Sequence, residues 1–185
     1  MRVLGVDPGF ASVGLAFIEI LDEGQYRAEH LETIRTKRST LKTNIWDDNY
    51  ERCEFIGKRV TELIEYYAPQ LVAIEAESWT RTHTDSVVGL GRGVIYGITS
   101  SRGLPTSQWH PKQVRQALLN KQQASKSDLE EWLGKYVLDF HRKLTPITKS
   151  QQNHAADAAA VAITESYKGQ NAKVFMALRA KQGTD

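Results

Sequence analysis

Arg2-Val3-Leu4-Gly5-Val6-Asp7-Pro8-Gly9 decides how the rest of the sequence is read. An apolar run ends in one carboxylate, Asp7, and Pro8-Gly9 then breaks the strand. A buried strand delivers an acid to a sheet edge in this way, although aspartates before turns are common. Asp7 gains meaning only if later acids reach the same edge. Two segments offer them: Leu71-Val72-Ala73-Ile74-Glu75 and Asn153-His154-Ala155-Ala156-Asp157.

Outward from this stretch, Ser12 to Ile20 is rich in strand formers and should pair antiparallel with the first strand. Asp22-Glu23-Gly24 marks a turn, and a third strand runs from about Tyr26 to Arg35. Lys37 to Asn44 reads as a polar loop. From Asp47 the period changes: Phe55, Ile56, Val60, Leu63, Ile64 and Tyr67 recur at helical spacing until Pro69. Leu71 to Glu75 then reads as a buried strand. Strand, helix and strand in that order imply a right-handed crossover, with Leu71–Glu75 parallel to the first strand. Asp7 and Glu75 would then both lie at carboxyl ends, where open α/β sheets place their sites.

Downstream, Ser78 to Thr84 is a polar loop holding Trp79, Arg81 and His83. Asp85 to Thr99 reads as a helix despite four glycines, which suggests close backbone approach to the sheet or to a second subunit. Leu104 to Trp109 is a last strand, and His110-Pro111 opens a helix. Lys112, Arg115, Lys121 and Lys126 punctuate the region beyond Pro111. Ser125 or Ser127 caps a helix carrying Leu129, Trp132, Leu133, Val137 and Phe140. After a loop around Pro146, an alanine-rich helix spans about Asn153 to Tyr167. The fold class is therefore α/β, with five strands, the first three antiparallel, flanked by helices. Residues 1–168 form one domain and 169–185 an appendage.

The chain has 185 residues, 41% hydrophobic and 25% charged, the composition of a globular protein with a substantial core. No apolar run approaches the roughly 20 residues needed to span a bilayer, and no signal-peptide pattern opens the sequence. One cysteine, Cys53, excludes an intrachain disulfide framework and argues against a cysteine zinc site. A reducing, cytoplasmic environment is expected. The formal charge of +2 conceals asymmetry: residues 1–80 hold 9 Lys/Arg against 14 Asp/Glu, and residues 102–149 hold 9 against 4. An acidic portion followed by a basic one suits a polyanion bound across a metal-collecting site. Uneven solvated surface explains the charge alone equally well.

His154 and Asp157 are three apart on a helix and share a face. Asp157 is embedded in alanine and valine, which is unfavourable unless it is paired or metal-bound. The structural alternative is that His154 caps the helix and Asp157 favours its positive end. Joined by Asp7 and Glu75, they would give three carboxylates and an imidazole. Such carboxylates repel one another unless a cation neutralises them. The donors suit Mg²⁺ or Mn²⁺, the imidazole favouring Mn²⁺, and a pair of ions can hydrolyse a phosphodiester.

Together these motifs resemble the RuvC-type Holliday junction resolvases of the ribonuclease H-like superfamily, over roughly residues 1–165. Val6-Asp7-Pro8-Gly9, Ala73-Ile74-Glu75, Asp85-Ser86 with Leu90 to Val94, Gln113 to Gln116 with Lys126-Ser127, and His154 to Asp157 occur in the family's order. The resemblance implies a homodimeric endonuclease that nicks four-way DNA junctions symmetrically. It implies metal binding and catalysis by Asp7, Glu75, His154 and Asp157, with two Mg²⁺ or Mn²⁺ ions per site. Lys126 joins the catalytic set, and Trp79, Arg81, Lys112, Arg115, Lys121 and Lys126 are expected to contact DNA. The family's aromatic wedge falls near Ser78, with Trp79 displaced from it, and Glu77 is a spare acid. The expected location is the cytoplasm or nucleoid of a bacterial or phage host, or an organelle matrix.

Two other readings stand beside this one: a ribonuclease H-like enzyme acting on RNA or a hybrid, and an inactive junction-binding protein. No membrane partner or nucleotide cofactor is expected, because the glycines lack the G-x-G-x-x-G order and a following P-loop lysine. Trp46, Trp109 and Trp132 read as packing aromatics.

Overall fold

A computed structural model describes residues 1–21, 24–41, 44–76 and 83–182. Six strands form one sheet: β1 (Arg2–Pro8), β2 (Ser12–Ile20), β3 (Tyr26–Arg35), β4 (Leu71–Glu75), β5 (Thr106–Trp109) and β6 (Val137–Leu138). Their spatial order is β5-β4-β1-β2-β3-β6. The first three strands pair antiparallel, and β4 lies parallel to β1 with Val6 beside Ile74. β5 continues the sheet parallel to β4.

Period-two alternation divides the core. Leu4, Val6, Leu15, Phe17, Val72 and Ile74 face Ile56, Val60, Leu63 and Ile64 of helix α1 (Ile45–Tyr67) and Ile95 of α2 (His83–Ser101). Val3, Ala16, Ile18 and Ala73 face the alanines of α6 (Lys149–Lys168). α3 (Pro111–Leu119), α4 (Lys126–Tyr136) and the short α5 (Phe140–Leu144) supply Val114, Leu129, Leu133 and Phe140 to this second layer. Asp7 follows Val3 and Gly5, and Glu75 follows Leu71 and Ala73, so both acids emerge on the α6 face.

α6 is seated almost backbone to backbone on the sheet. A Cβ on Gly5 would lie 1.8 Å from the Ala158 carbonyl oxygen, and one on Gly14 would lie 2.0 Å from that of His154. Glycine is required at both positions. The α2 glycines answer the two readings of that helix separately. A Cβ on Gly91 would meet the Gly9 carbonyl at 2.7 Å, whereas Gly89, Gly93 and Gly97 face open space.

Several boundaries differ from the sequence reading. The helix expected to continue through Phe140 stops at Tyr136, and Val137–Leu138 becomes a sixth strand beside Tyr26–Arg27. Asp139, in the left-handed region at φ 63°, makes the break. Val137 and Phe140 are buried on either side of it, so their three-residue spacing satisfied a helical period without being one. Ser125 is the residue that caps α4, through a capping box with Asp128. α6 begins at Lys149, four residues earlier than its apolar pattern. Trp46 is 76% exposed rather than packed.

Trp109 is half-buried, and its Nε1 donates to Glu165 Oε2 at 2.9 Å. Glu165 is a fully buried carboxylate that also accepts from the Ser107 hydroxyl and from Ala172 N. Through it, α7 (Gln170–Gln182) is fastened to α6 and β5. Among the described residues, no helix is long and apolar enough to cross a membrane.

Candidate active site

β1 and β4 end side by side because their parallel register carries Val6 and Ile74 together. α6 then crosses the α6 face obliquely, with His154 against Gly14 and Ala158 against Gly5. Asp157 lies between these contacts and therefore arrives over the ends of β1 and β4. The result is convergence: one ligand atom each from Asp7, Glu75 and Asp157 lies within 4.8 Å of the others.

His154 reaches the cluster by a different route. Its Nδ1 is 2.6 Å from Asp7 Oδ2, but it is not among the atoms that mutually converge. His154 and Asp157 sit in the second and third turns of α6, which removes helix capping as an explanation for them. Lys126, the first residue of α4, places Nζ 2.9 Å from Asp157 Oδ2. Arg115 lines a small cavity with Glu75, Leu129 and Asp157, and its Nε is buried without a hydrogen-bond partner.

The electrostatics follow from crowding like charges in a poorly hydrated place. Burial, then Asp7 and Asp157, push the Glu75 carboxyl up to about 8, against the opposing pull of Lys126 and Arg115. Burial also raises Asp157, with Lys126 opposing. His154 is raised chiefly by its hydrogen bond to Asp7. Burial works against the Lys126 charge, but its bond to Asp157 and the nearby acids outweigh that and raise it. The three carboxylates are thus crowded enough that Glu75 keeps its proton up to about 8 even beside Lys126 and Arg115. A hard divalent cation fits that donor set by charge and by oxygen chemistry.

The model for the RuvC family, crossover junction endodeoxyribonuclease, matches residues 3–165. The chain belongs to the RuvC family. A RuvC from Synechococcus sp. (strain WH7803) is 31% identical over 164 residues, covering 89% of this chain and 97% of that one. One from Moorella thermoacetica is 32% identical, covering 88% and 89%. Among solved structures, Thermus thermophilus RuvC in complex with a Holliday junction substrate superposes with a TM-score of 0.74. It shares 26% identity, over 90% of this chain and 93% of that one. The yeast mitochondrial Holliday junction resolvase Ydc2, at 15% identity and a TM-score of 0.67, shares the fold.

Within this RuvC-family site, the sequence-derived residues fall into three groups. Asp7, Glu75 and Asp157 converge, and His154, Lys126 and Arg115 surround them. Lys112 instead lines a separate groove of about 590 Å³ with Trp109, Gln116 and Tyr167. Lys121 is exposed in the connection from α3 to α4, beyond the carboxylates. Trp79, Arg81 and the spare acid Glu77 lie outside the described residues. Sequence reasoning missed Gly5 and Gly14 as the residues that seat α6. The signal that could have found them is a single glycine inside each strand pattern, a mark of close backbone approach.

The raised Glu75 carboxyl has a measurable consequence. A divalent cation held by Glu75 would bind its deprotonated form, so below pH about 8 it would have to displace the Glu75 proton. Affinity for Mn²⁺ should fall by up to about tenfold per pH unit below that value and level off above it. Calorimetry in buffers of different ionisation enthalpy should show about one proton released near pH 7. Glu75→Gln should lower the release, leaving only what His154 gives up; an unchanged release from that variant would assign the proton elsewhere.

Proposed function

We propose that this chain is a divalent-metal-dependent crossover junction endodeoxyribonuclease that nicks four-way DNA junctions in paired, symmetric fashion. The observation that carries the reading is the convergence of Asp7, Glu75 and Asp157 within 4.8 Å, in a chain of the RuvC family. Asp7, Glu75 and Asp157 would hold Mg²⁺ or Mn²⁺, two ions per site, with His154 completing the donor set. Bound there, the metal supplies Lewis acidity to the phosphodiester and to the attacking water.

The chain's own groups do the rest. His154 holds a proton at Nδ1 facing Asp7, or releases it when Asp7 turns to a cation. Lys126 keeps a positive charge beside Asp157, where negative charge builds on the phosphoryl oxygens during transfer. Arg115 brings a buried unpartnered Nε–H to the same place, a donor available to a phosphate oxygen. Lys112 and Lys121 extend DNA contact away from the reacting centre, and Trp79 and Arg81 are further DNA contacts in this reading.

Open space beside Gly89, Gly93 and Gly97 leaves one flank of α2 smooth, and this supports a homodimer that packs α2 against its copy. Such a dimer would present two sites to the two symmetric strands of a junction. We also assign residues 1–168 to the nuclease domain and 169–185 to an appendage on it. The protein would work in the cytoplasm or nucleoid.

The test uses a synthetic mobile four-way junction, a matched linear duplex and an RNA–DNA hybrid, each with Mg²⁺ or Mn²⁺. Paired, ligatable nicks in the junction alone are expected. Hybrid cleavage would move the same chemistry to RNA, and binding without cleavage would leave an inactive junction-binding protein. Lys126→Ala should slow single-turnover junction cleavage by roughly a hundredfold. It should also lower the salt slope of binding by about 1. An unaltered rate and slope would place Lys126 off the DNA path.

A further inference from the structure

The end of β3 is fastened to the turn that follows Asp7. Thr36 N–H donates to the Ala11 carbonyl at 3.0 Å, and its hydroxyl donates to the Phe10 carbonyl at 2.5 Å. Arg52 Nε donates to the same hydroxyl at 2.9 Å, with its guanidinium 3.9 Å from the centre of the Phe10 ring. Ser39 N–H donates to Asp48 Oδ1 at 2.7 Å, so the chain beyond Thr36 is tied to α1 as well. On the α6 side, the Thr33 hydroxyl donates to the Gln151 carbonyl at 2.9 Å. That bond joins the end of β3 to the first turn of α6.

These ties gather four cations along one rim. Arg35 shares the Thr33 face of β3 by the period-two rule, and Lys149 precedes Gln151 by two residues. Lys37 and Arg38 follow Thr36 directly. All four are exposed, and none has an ion pair or side-chain hydrogen bond with another described residue. Five other arginines are spent on carboxylates: Arg2 on Glu29, Arg27 on Glu19, Arg59 on Glu32, Arg102 on Glu65 and Arg142 on Asp139. The rim thus presents cations without ion pairs on a backbone that is held in place, Lys37 sharing a groove with Asp48, Glu51 and Arg52 of α1.

Its position relative to the carboxylates is set by the sheet. Asp7 pairs with Gly14 and Gly14 with Thr33, so β3 ends two strand spacings from Asp7. That is about 10 Å, or roughly three nucleotide steps at about 3.4 Å of duplex axis per strand charge. Lys126 and Arg115 stand on the other side of the cluster, beside Asp157 and Glu75. The carboxylates therefore lie between two cationic banks.

We propose that Arg35, Lys37, Arg38 and Lys149 form a second phosphate-binding bank, on the β3 side of the carboxylates. It holds the DNA backbone across the site from Lys126 and Arg115. This assignment rests on the DNA-nuclease reading above. It predicts a division of labour: the β4-side cations act on the reacting phosphate, and the β3-side bank positions the strand that runs away from it.

The experiment compares wild type with a variant carrying Arg35→Gln, Lys37→Gln, Arg38→Gln and Lys149→Gln, and with Lys173→Gln as an exposed control on α7. Fluorescence anisotropy with a labelled four-way junction is read without metal across a salt series. Cleavage is read in single turnover at saturating protein with Mg²⁺. The fourfold variant should bind roughly ten- to a hundredfold more weakly at about 0.1 M salt, with a salt slope lower by about 3. Its saturated cleavage rate should stay within about threefold of wild type, and its thermal midpoint should be unchanged because every altered side chain is exposed. Lys173→Gln should match wild type throughout. A wild-type protein that neither binds nor cuts junctions would remove the nuclease reading itself. With wild type active, an unchanged affinity and slope in the fourfold variant overturns the bank. A saturated rate that falls a hundredfold also overturns it, because the cations would then act in the chemical step.

Discussion

Asp7→Asn should lower the single-turnover rate of junction cleavage by at least about a thousandfold and leave metal-free junction affinity within about threefold. The rate figure corresponds to about 4 kcal/mol of transition-state stabilisation. Asparagine keeps the shape of aspartate and an oxygen for His154, so the turn at Pro8-Gly9 and the seat of α6 survive. What disappears is one of three carboxylates that converge within 4.8 Å. A neutral amide is a weak partner for a hard divalent cation, and the position of Asp7 between Glu75 and His154 makes its loss central to the cluster. DNA affinity does not suffer, since removing a carboxylate reduces repulsion of the phosphates. A second readout separates this account from simple misfolding. Asp7 ranks after burial as a cause of the raised Glu75 carboxyl. The Glu75 carboxyl should therefore fall from about 8 in Asp7→Asn, and the proton released on Mn²⁺ binding at pH 7 should diminish. Undiminished cleavage would take Asp7 out of the mechanism, and an unmoved Glu75 would show that these acids do not share one electrostatic site.

Much of this arrangement is legible in the sequence because short-range rules govern it. The turn at Pro8-Gly9, the helical period before Pro69 and the run Leu71–Glu75 together force a crossover that aligns Asp7 with Glu75. The alanine-rich α6 announces close packing, and Asp157 among alanines needs a partner. Sequence spacing gives His154 equal weight among the candidate ligands, and its Nδ1 is bonded to Asp7 rather than grouped with the three converging carboxylates. Side-chain reach across a sheet edge is a matter of ångströms, which residue spacing does not fix. The break at Asp139 is hidden because Val137 and Phe140 keep a helical interval across it. Trp46 is expected to pack because tryptophan usually does, but its place near the start of α1 leaves it at the rim. The cationic bank is the least legible feature. Its two halves lie far apart in the chain and are brought together by the packing of α6 on β3, with the bond from Thr33 to Gln151 at that end. The first turn of α6 also carries no apolar residue to reveal that it is helical.

Gly14→Ala should cost about 3–5 kcal/mol of stability, measured by urea unfolding without metal, although it adds only one methyl group. The new Cβ would lie 2.0 Å from the His154 carbonyl oxygen, 2.4 Å from its carbonyl carbon and 3.0 Å from its Cβ. Two of these atoms are backbone in the middle of a helix and cannot rotate away. α6 must rise from β2, or β2 must sink into Leu15 and Phe17, which are fully buried on its other face. Either movement loosens Ala155, Ala158, Ala159 and Ala162, all of them at 0% exposure. The functional loss should exceed the stability loss. His154 is the residue pushed, and its 2.6 Å bond to Asp7 is the first contact to open, with Asp157 one turn further along. A displacement of about 1 Å can cost roughly a hundredfold in rate. Cleavage should therefore fall by about that factor even at low temperature, where nearly all of the variant remains folded. Gly57→Ala on α1, away from the α2 flank assigned to the dimer, supplies the contrast. Its Cβ meets Val94 Cγ1 at 3.6 Å, an ordinary contact, so the change gains helix propensity, up to about 1 kcal/mol, and leaves cleavage intact in single turnover. Equal stability of the two variants would mean that α6 is not seated on β2 as described. Full cleavage by folded Gly14→Ala would separate the placement of His154 and Asp157 from the chemistry.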